Sequence, residues 1–385
     1  MSDDSKSSSL YYGWKIVAVA FVVDFIAVGF FFYSYGVFFK ALATEFGGSR
    51  LDVSIGITLV NVVSAILAPF LGRMLDVYPI KYIIVAGILA KSAGFVLLSL
   101  IGSQWQLYLV LATLIGVGTV AMGGLSTAKL VTNWFSKKRG TALGVATMGI
   151  SLSGVAMPPI SAWLIENYGW RTGFQVFAFI TFVVVLPVVL RYVVSRPEHM
   201  GLNVDNIRTT DTVQPVVKHP HWSTRAALGH WNFWIVVLVF GLMFCSMGAT
   251  LTHMVPRVTD LGFTLVEAAP ILSFAAGAGV LGKVAYGWIT DHWNVRYAVL
   301  TAIAAQVTGN VLLLIHGDYI WIATGGAIFG FGMGGIVPIH GSMVSELFGQ
   351  QGFGFIMGLM RPAMMPLQVA GIPFAGWIFD ITGSY

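Results

Sequence analysis

The stretch Gly72-Arg-Met-Leu-Asp76-Val-Tyr-Pro-Ile-Lys81 returns in outline as Gly287-Trp-Ile-Thr-Asp291-His-Trp-Asn-Val-Arg296, with glycine, carboxylate and cation in the same order. The two copies lie 215 residues apart. Two further segments repeat at almost the same distance. Ala112, Gly116 and Gly118 are echoed 214 residues later by Gly326, Gly330 and Gly332, and Ala162-Trp163 with Glu166 and Gly169 by Gly376-Trp377 with Asp380 and Gly383. Three separate segments that agree on one period define a duplicated architecture.

The composition says what is duplicated. Of 385 residues, 57% are hydrophobic and only 10% are charged. A water-facing surface ordinarily needs about 25% charged residues, so a soluble globular fold is excluded. Disorder is excluded by the abundance of large apolar side chains. The net charge of +5 does not mark a nucleic-acid surface, because the basic residues are scattered among loops. The single cysteine, Cys245, excludes an intrachain disulfide framework. Lipid is the solvent that fits.

A spanning helix needs about 20 mostly apolar residues. Such runs fall near 14–39, 52–74, 81–101, 105–133, 140–165, 172–194, 231–256, 264–290, 296–316, 319–345 and 353–379. They are too long and too evenly apolar for alternating membrane strands, which predicts an all-α integral membrane protein. The first dozen residues are polar and lack a cleavable signal pattern, so the first span is expected to stay as a helix.

Residues 195–230 are polar, hold three prolines and divide six spans from the rest. The expected organisation is therefore an N-terminal six-helix half over 1–194, a cytoplasmic linker over 195–230 and a C-terminal half over 231–385. Parallel six-helix repeats are related by an axis along the membrane normal. The second half shows five spans, so we expect a truncated chain whose twelfth helix would follow Tyr385. Linker histidines His199, His219, His221 and His230 match no zinc spacing and read as a solvated loop.

Basic residues sort between alternate connections. Lys6, Lys15, Lys81, Lys137, Lys138, Arg139, Arg191, Arg196, Arg208, Lys218, Arg225 and Arg296 fall on one side, against Lys40, Arg50, Arg171 and Arg257 on the other. The positive-inside rule then makes the N-terminus cytoplasmic.

On these residues the chain resembles the major facilitator superfamily over essentially its whole length. The Gly72, Asp76, Lys81 segment and its copy Gly287, Asp291, Arg296 look like that superfamily's signature loop. Gly13-Trp14, Tyr33-Ser-Tyr-Gly-Val-Phe-Phe39, Trp134-Phe135 with Lys137-Lys-Arg-Gly140, and Gly376-Trp-Ile-Phe-Asp-Ile-Thr-Gly-Ser-Tyr385 are similar to the monocarboxylate transporter and oxalate:formate antiporter branch. The resemblance implies a multi-pass secondary transporter of a bacterial inner or other plasma membrane, moving a small organic anion, a mono- or dicarboxylate, by alternating access, with proton symport or anion exchange. It implies no catalytic residue, no metal and no cofactor, no nucleic-acid partner, and a monomer in the lipid bilayer. The alternative on the same fold is a multidrug or sugar efflux carrier. The sequence departs from the animal monocarboxylate pattern at Tyr33, where a lysine stands there, and at Gly279, where an aspartate stands there.

Charges at membrane depth cost several kcal/mol and mark functional positions. Lys283 and Arg361 are the leading substrate-binding candidates, about 9 Å and about 6 Å from the middles of their spans at 1.5 Å per residue. A carboxylate between them would relieve the repulsion of two cations and be held by a guanidinium fork. The competing reading has both side chains snorkel to the cytoplasmic interface. Tyr33, Asn61 and Gln368 are neutral candidates for the cavity wall. Asp24, His253 and His340 are the coupling candidates, since each can take up a proton. Lys91 and Lys129 read as structural and able to snorkel. Gly72, Asp76, Lys81, Gly287, Asp291 and Arg296 form the expected gating latch, with the carboxylates capping neighbouring helix N-termini.

Overall fold

The computed structural model describes residues 11–46, 50–206, 222–263, 265–314 and 318–382. Among the described residues, ten helices are long and apolar enough to cross a membrane: α1 (Tyr12–Tyr33), α2 (Ile55–Val77), α3 (Ile80–Leu100), α4 (Gln104–Trp134), α5 (Arg139–Tyr192), α6 (Trp231–Met254), α7 (Pro270–His292), α8 (Val295–Leu314), α9 (Tyr319–Phe348) and α10 (Phe353–Ile372). Helix α5 has 54 residues, about twice what a bilayer needs. Its backbone leaves helical geometry at Gly169 (φ 81°, ψ 160°), a conformation that glycine alone adopts without strain. The spans expected at 140–165 and 172–194 both fall in α5, one on each side of that residue.

The apolar runs form helices because each backbone amide is satisfied within its own segment, the arrangement lipid requires. Where the ladder is interrupted, the cause is local. Wide turns at Gly29–Tyr33 in α1, Leu111–Ile115 in α4 and Ile180–Val185 in α5 insert one extra residue per turn. Helix α4 breaks where Gly123 becomes extended (ψ −163°), and α9 divides between Gly334 and Ile336. The two breaks occupy nearly equivalent places in the two repeats.

The sequence repeat is also a packing repeat. The glycine face of α2 meets the start of α10, where a Cβ on Gly72 would strike the Gly354 carbonyl; one repeat later, a Cβ on Gly287 of α7 would strike the Gly140 carbonyl at the start of α5. One helical turn deeper the contact recurs, Gly358 against the Ala68 carbonyl and Gly144 against the Lys283 carbonyl. Within each repeat, a Cβ on Gly118 would lie 2.8 Å from the Lys91 amide, and one on Gly332 would lie 2.9 Å from the Gln306 amide. Small residues at these points let backbones approach to a distance that only van der Waals packing rewards in lipid. Around them a stacked aromatic core ties α1 and the helical segment Ser34–Phe46 that continues it to α5, with Phe30 on Phe177 and Phe38 on Phe174, each pair 4.3 Å between centroids, and Phe95 of α3 stacks on Phe174 at 6.1 Å.

The turns at 77–80, 135–138, 193–206, 222–230, 293–294 and 349–352 gather at one end of the bundle, here called the basic end for the cations it carries. Residues 195–206 and 222–230 are folded onto it. Asp205 accepts from the Ser136 and Lys137 amides at 2.9 and 2.6 Å, and the Trp222 indole donates to the Phe348 carbonyl at 3.0 Å. The Tyr11 hydroxyl lies 3.0 Å from the carbonyls of both Trp134 and Asn203. Burial, and then the Asp205 charge, push that phenol up to about 12, so it stays a donor at physiological pH. Of the linker histidines, His230 packs edge-on against Trp222 and Phe348, whereas His219 and His221 lie outside the described residues. Among the described residues no group of histidine, cysteine and carboxylate side chains is arranged to hold a metal.

Candidate functional site

Two sets of candidates come together, one at the basic end and one at mid-depth. At the basic end, Asp76 closes α2 and its carboxylate accepts from the Gly354 and Phe355 amides at 3.1 and 2.8 Å. Asp291 closes α7 and accepts from the Gly140 and Thr141 amides at 2.5 and 2.7 Å. Each aspartate thus caps the first turn of a helix in the other repeat, where orphan N–H groups and the positive end of the helix dipole favour a carboxylate.

The cations expected beside these carboxylates are elsewhere. Lys81 sends its ammonium to the Leu190 carbonyl at 2.5 Å, and the Arg296 amide donates to the Asn294 side-chain oxygen, with no ion pair to Arg296 among the described residues. The partner of Asp76 is Lys129 of α4, at 2.7 Å, which also donates to the Gln350 carbonyl at 2.5 Å. Lys129 therefore does not snorkel; it is buried in the joint between α2, α4 and α10. The pattern in sequence places Lys81 five residues from Asp76, but the intervening Pro79 turn carries it to the α5 side.

At mid-depth, Asp24 of α1 is fully buried and accepts from the Thr127 hydroxyl at 2.9 Å, while its second oxygen has no hydrogen-bond partner. The Arg361 guanidinium of α10 lies within electrostatic range of Asp24 and of His340. One of its terminal nitrogens stands 4.0 Å from where a Cβ on Gly124 would be, beside the break in α4. Arg361 forms no ion pair or hydrogen bond with the described residues, so its fork of donors is uncommitted. His340 stacks on Phe240, 4.5 Å between centroids, with Nε2 unpartnered.

Lys283 lies on the α5–α7 interface and donates to the Ser151 hydroxyl at 2.9 Å. Counting from the basic ends of α7 and α5 at 1.5 Å per residue, Lys283 sits about 14 Å deep and Ser151 about 18 Å. Its ammonium therefore points inward from its own Cα, which corrects the snorkelling alternative. Arg361, eight residues into α10, sits about 12 Å deep by the same count. The two cations share a level.

Tyr33 is 40% exposed, with its ring against the Gly154 backbone on α5. Asn61 is exposed on α2, and Gln368 is half-buried two turns beyond Arg361. His253 is set apart. Its ring nitrogen lies 3.1 Å from the Ile372 carbonyl, in a side crevice of about 270 Å³ with Thr250, Arg257 and Asn310. Ile372 is eleven residues past Arg361, about 16 Å along α10. Lys91, read from sequence as able to snorkel, is instead fully buried and donates to the Ala27 carbonyl. Thr127 and Ser151 were not singled out by sequence, and Lys129 was read as structural without its Asp76 partner. The period could have led to the turns that donate to the latch, since Gly140 and Gly354 stand 214 residues apart.

A duplicated bundle of apolar helices, with charges at mid-depth between its repeats, defines a polytopic membrane transporter rather than an enzyme. Residues 21–383 match the Major Facilitator Superfamily, and the chain belongs to it. Similar proteins include monocarboxylate transporter 13 of Bos taurus, 27% identical over 97% of this chain and 84% of the relative, and monocarboxylate transporter 2 of Homo sapiens, 24% identical over 97% and 81%. The uncharacterized MFS-type transporter YcxA of Bacillus subtilis (strain 168) is 24% identical over 97% and 90%. Among solved structures, the human organic anion transporter MFSD10 (TETRAN) superposes with a TM-score of 0.70 at 14% identity over 96% of this chain and 95% of the other. A bacterial homologue of the iron transporter ferroportin in its outward-facing state gives 0.69 at 12% identity over 97% and 93%.

Proposed function

We propose that the chain is a secondary active transporter of a small organic anion, a mono- or dicarboxylate, working by alternating access between the 1–194 and 231–385 halves about the 195–230 linker. The observation that carries this reading is the uncommitted Arg361 guanidinium at the level of Lys283, between the two repeats. A half-buried guanidinium at membrane depth, without a hydrogen-bond partner among the described residues, is costly in lipid and is retained where an anion completes it. A lipophilic cation or a neutral sugar would leave both charges unsatisfied, which disfavours the efflux alternative. The relatives named as monocarboxylate transporters support the same class of substrate.

The basic end is cytoplasmic by the positive-inside rule, and the double cap at Asp76 and Asp291 holds it shut, so this conformation is outward-facing. Asp24 and His340 are the groups placed to couple a proton to the anion; His253 is too far along the bundle to share that work. An uptake panel in proteoliposomes, comparing labelled oxalate, formate, lactate and pyruvate with lipophilic cations and sugars, is expected to give signal only with carboxylates. Uptake of a cation or sugar with no carboxylate response would overturn the reading.

The latch has its own test. In Asp76→Asn/Asp291→Asn, four amide bonds lose a charged acceptor, each worth about 1 kcal/mol or more over a neutral one. With Cys245→Ala and a reporter at Tyr33→Cys, labelling by an external impermeant thiol reagent should fall at least about threefold as the outward state empties. Unchanged labelling would mean that the caps do not set the resting state.

A further inference from the structure

Lys91 has no place in the site just described, yet it is the most deeply enclosed cation of the first repeat. Its side chain is fully buried about 17 Å from the start of α3, counted at 1.5 Å per residue. The ammonium donates to the Ala27 carbonyl of α1 at 2.5 Å and to the Thr119 hydroxyl of α4 at 3.2 Å, with the Phe95 ring 5.9 Å away. No carboxylate of the described residues pairs with it. Packing alone does not call for a cation here. The equivalent place in the second repeat, set against Gly332 as Lys91 is against Gly118, holds the uncharged, buried Gln306.

The acceptor's position gives the lysine a task. Ala27 is three residues past Asp24 and two before Gly29, where α1 widens through Tyr33. A side-chain donor fixed on that carbonyl holds α1 at the point where its pitch changes, and so sets the direction of Tyr33 relative to Asp24. We infer that Lys91 is a positioning residue, a three-helix brace from α3 to α1 and α4 that keeps the widened turn of α1 in register for transport, without itself touching substrate. Its enclosure by Gly118, Phe95 and the α1 backbone leaves no path for an anion to reach it.

This inference rests on the transport reading for its rate measurement, so the experiment carries a second readout that needs no substrate. In the full-length protein, Lys91→Met keeps the length and apolar volume but removes the donors; Lys91→Gln matches the second repeat and guards against a failure of the methionine variant to fold. Thr119→Val removes one acceptor. The Tyr33→Cys reporter in the Cys245→Ala background is expected to change its labelling rate about fivefold in Lys91→Met without substrate, because the arm beyond Ala27 turns. Maximal uptake rate should fall about tenfold with KM held within about twofold, the signature of a lost conformational constraint. Thr119→Val should give a smaller loss of the same kind, and the double variant should be no worse than Lys91→Met, since both changes remove one brace. An unaltered labelling rate in both lysine variants would overturn the inference, whatever the substrate proves to be. A tenfold rise in KM at constant rate would also overturn it, by making Lys91 a ligand. Altered labelling with no carboxylate uptake even in the parent protein would leave the brace standing and count against the substrate assignment alone.

Discussion

Arg361→Gln is expected to lower carboxylate uptake by about 100-fold or more while leaving the folded protein as stable as before, or more so. The two halves of that expectation come from one observation. The guanidinium makes no hydrogen bond or ion pair with the described residues; truncating it removes a charge at membrane depth together with its longer-range attraction to Asp24, which can take up a proton in its place. With a carboxylate bound, the same group would supply a bidentate, charge-assisted contact, whose loss costs about 2–5 kcal/mol, or about 30-fold to several thousandfold. Lys283→Gln should behave differently in detail. Its ammonium already engages Ser151, and a glutamine amide can keep a hydrogen bond to that hydroxyl, so stability should be nearly unchanged while uptake falls by about tenfold to 100-fold. Proteoliposome uptake together with thermal unfolding in detergent reads both quantities. Wild-type uptake in both variants would end the assignment of the two cations as the anion site; a large loss of stability in Arg361→Gln would mean that the guanidinium braces the fold.

Much of the architecture was legible because membrane and repeat impose strong, local rules. Apolar length marked the helices, and the coincidence of the offsets at Asp76/Asp291, Gly118/Gly332 and Trp163/Trp377 marked the duplication. The capping role of Asp76 and Asp291 was legible for the same reason: an acid at a helix end, facing small residues, has few other uses in lipid. What was not legible depended on which helix lies beside which, and at what height. Lys91 and Lys129 are long enough to reach an interface, and a single helix considered alone permits it. Only the neighbouring α1 carbonyl of Ala27, and the Asp76 carboxylate brought in by α2, turn those ammonium groups inward. Lys81 was misleading in the opposite sense. Proximity in sequence suggested a partner for Asp76, but the turn at Pro79 sends it toward Leu190. The widened turn at Gly29–Tyr33 left no trace in composition either, since its residues, Gly-Phe-Phe-Phe-Tyr, are as apolar as the helix around them.

Gly72→Val should abolish transport without unfolding the protein, and Gly287→Val should do the same from the other repeat. The argument is steric and state-specific. A Cβ on Gly72 would strike the Gly354 carbonyl, and one on Gly287 the Gly140 carbonyl. Both obstacles are backbone atoms of helices capped by Asp76 and Asp291, so neither can rotate away as a side chain would. Overpacking of this kind costs about 1–3 kcal/mol. Here it falls on the conformation in which the basic end is shut, because a carrier that alternates must separate these pairs when that end opens. Each valine would then shift the population between states by up to about 100-fold, and the pair of valines by more. External labelling of Tyr33→Cys should drop in proportion, uptake should be lost, and the melting temperature should stay close to the parent's, since the open-end state escapes the clash. Gly277→Ala is the control, as nothing lies within 4 Å of its Cβ position, and it should label and transport like the parent. If Gly72→Val and Gly287→Val keep full uptake, the close approach at the basic end is not part of the cycle, and the two aspartate caps would have to be read as fixed joints of the bundle instead of a gate.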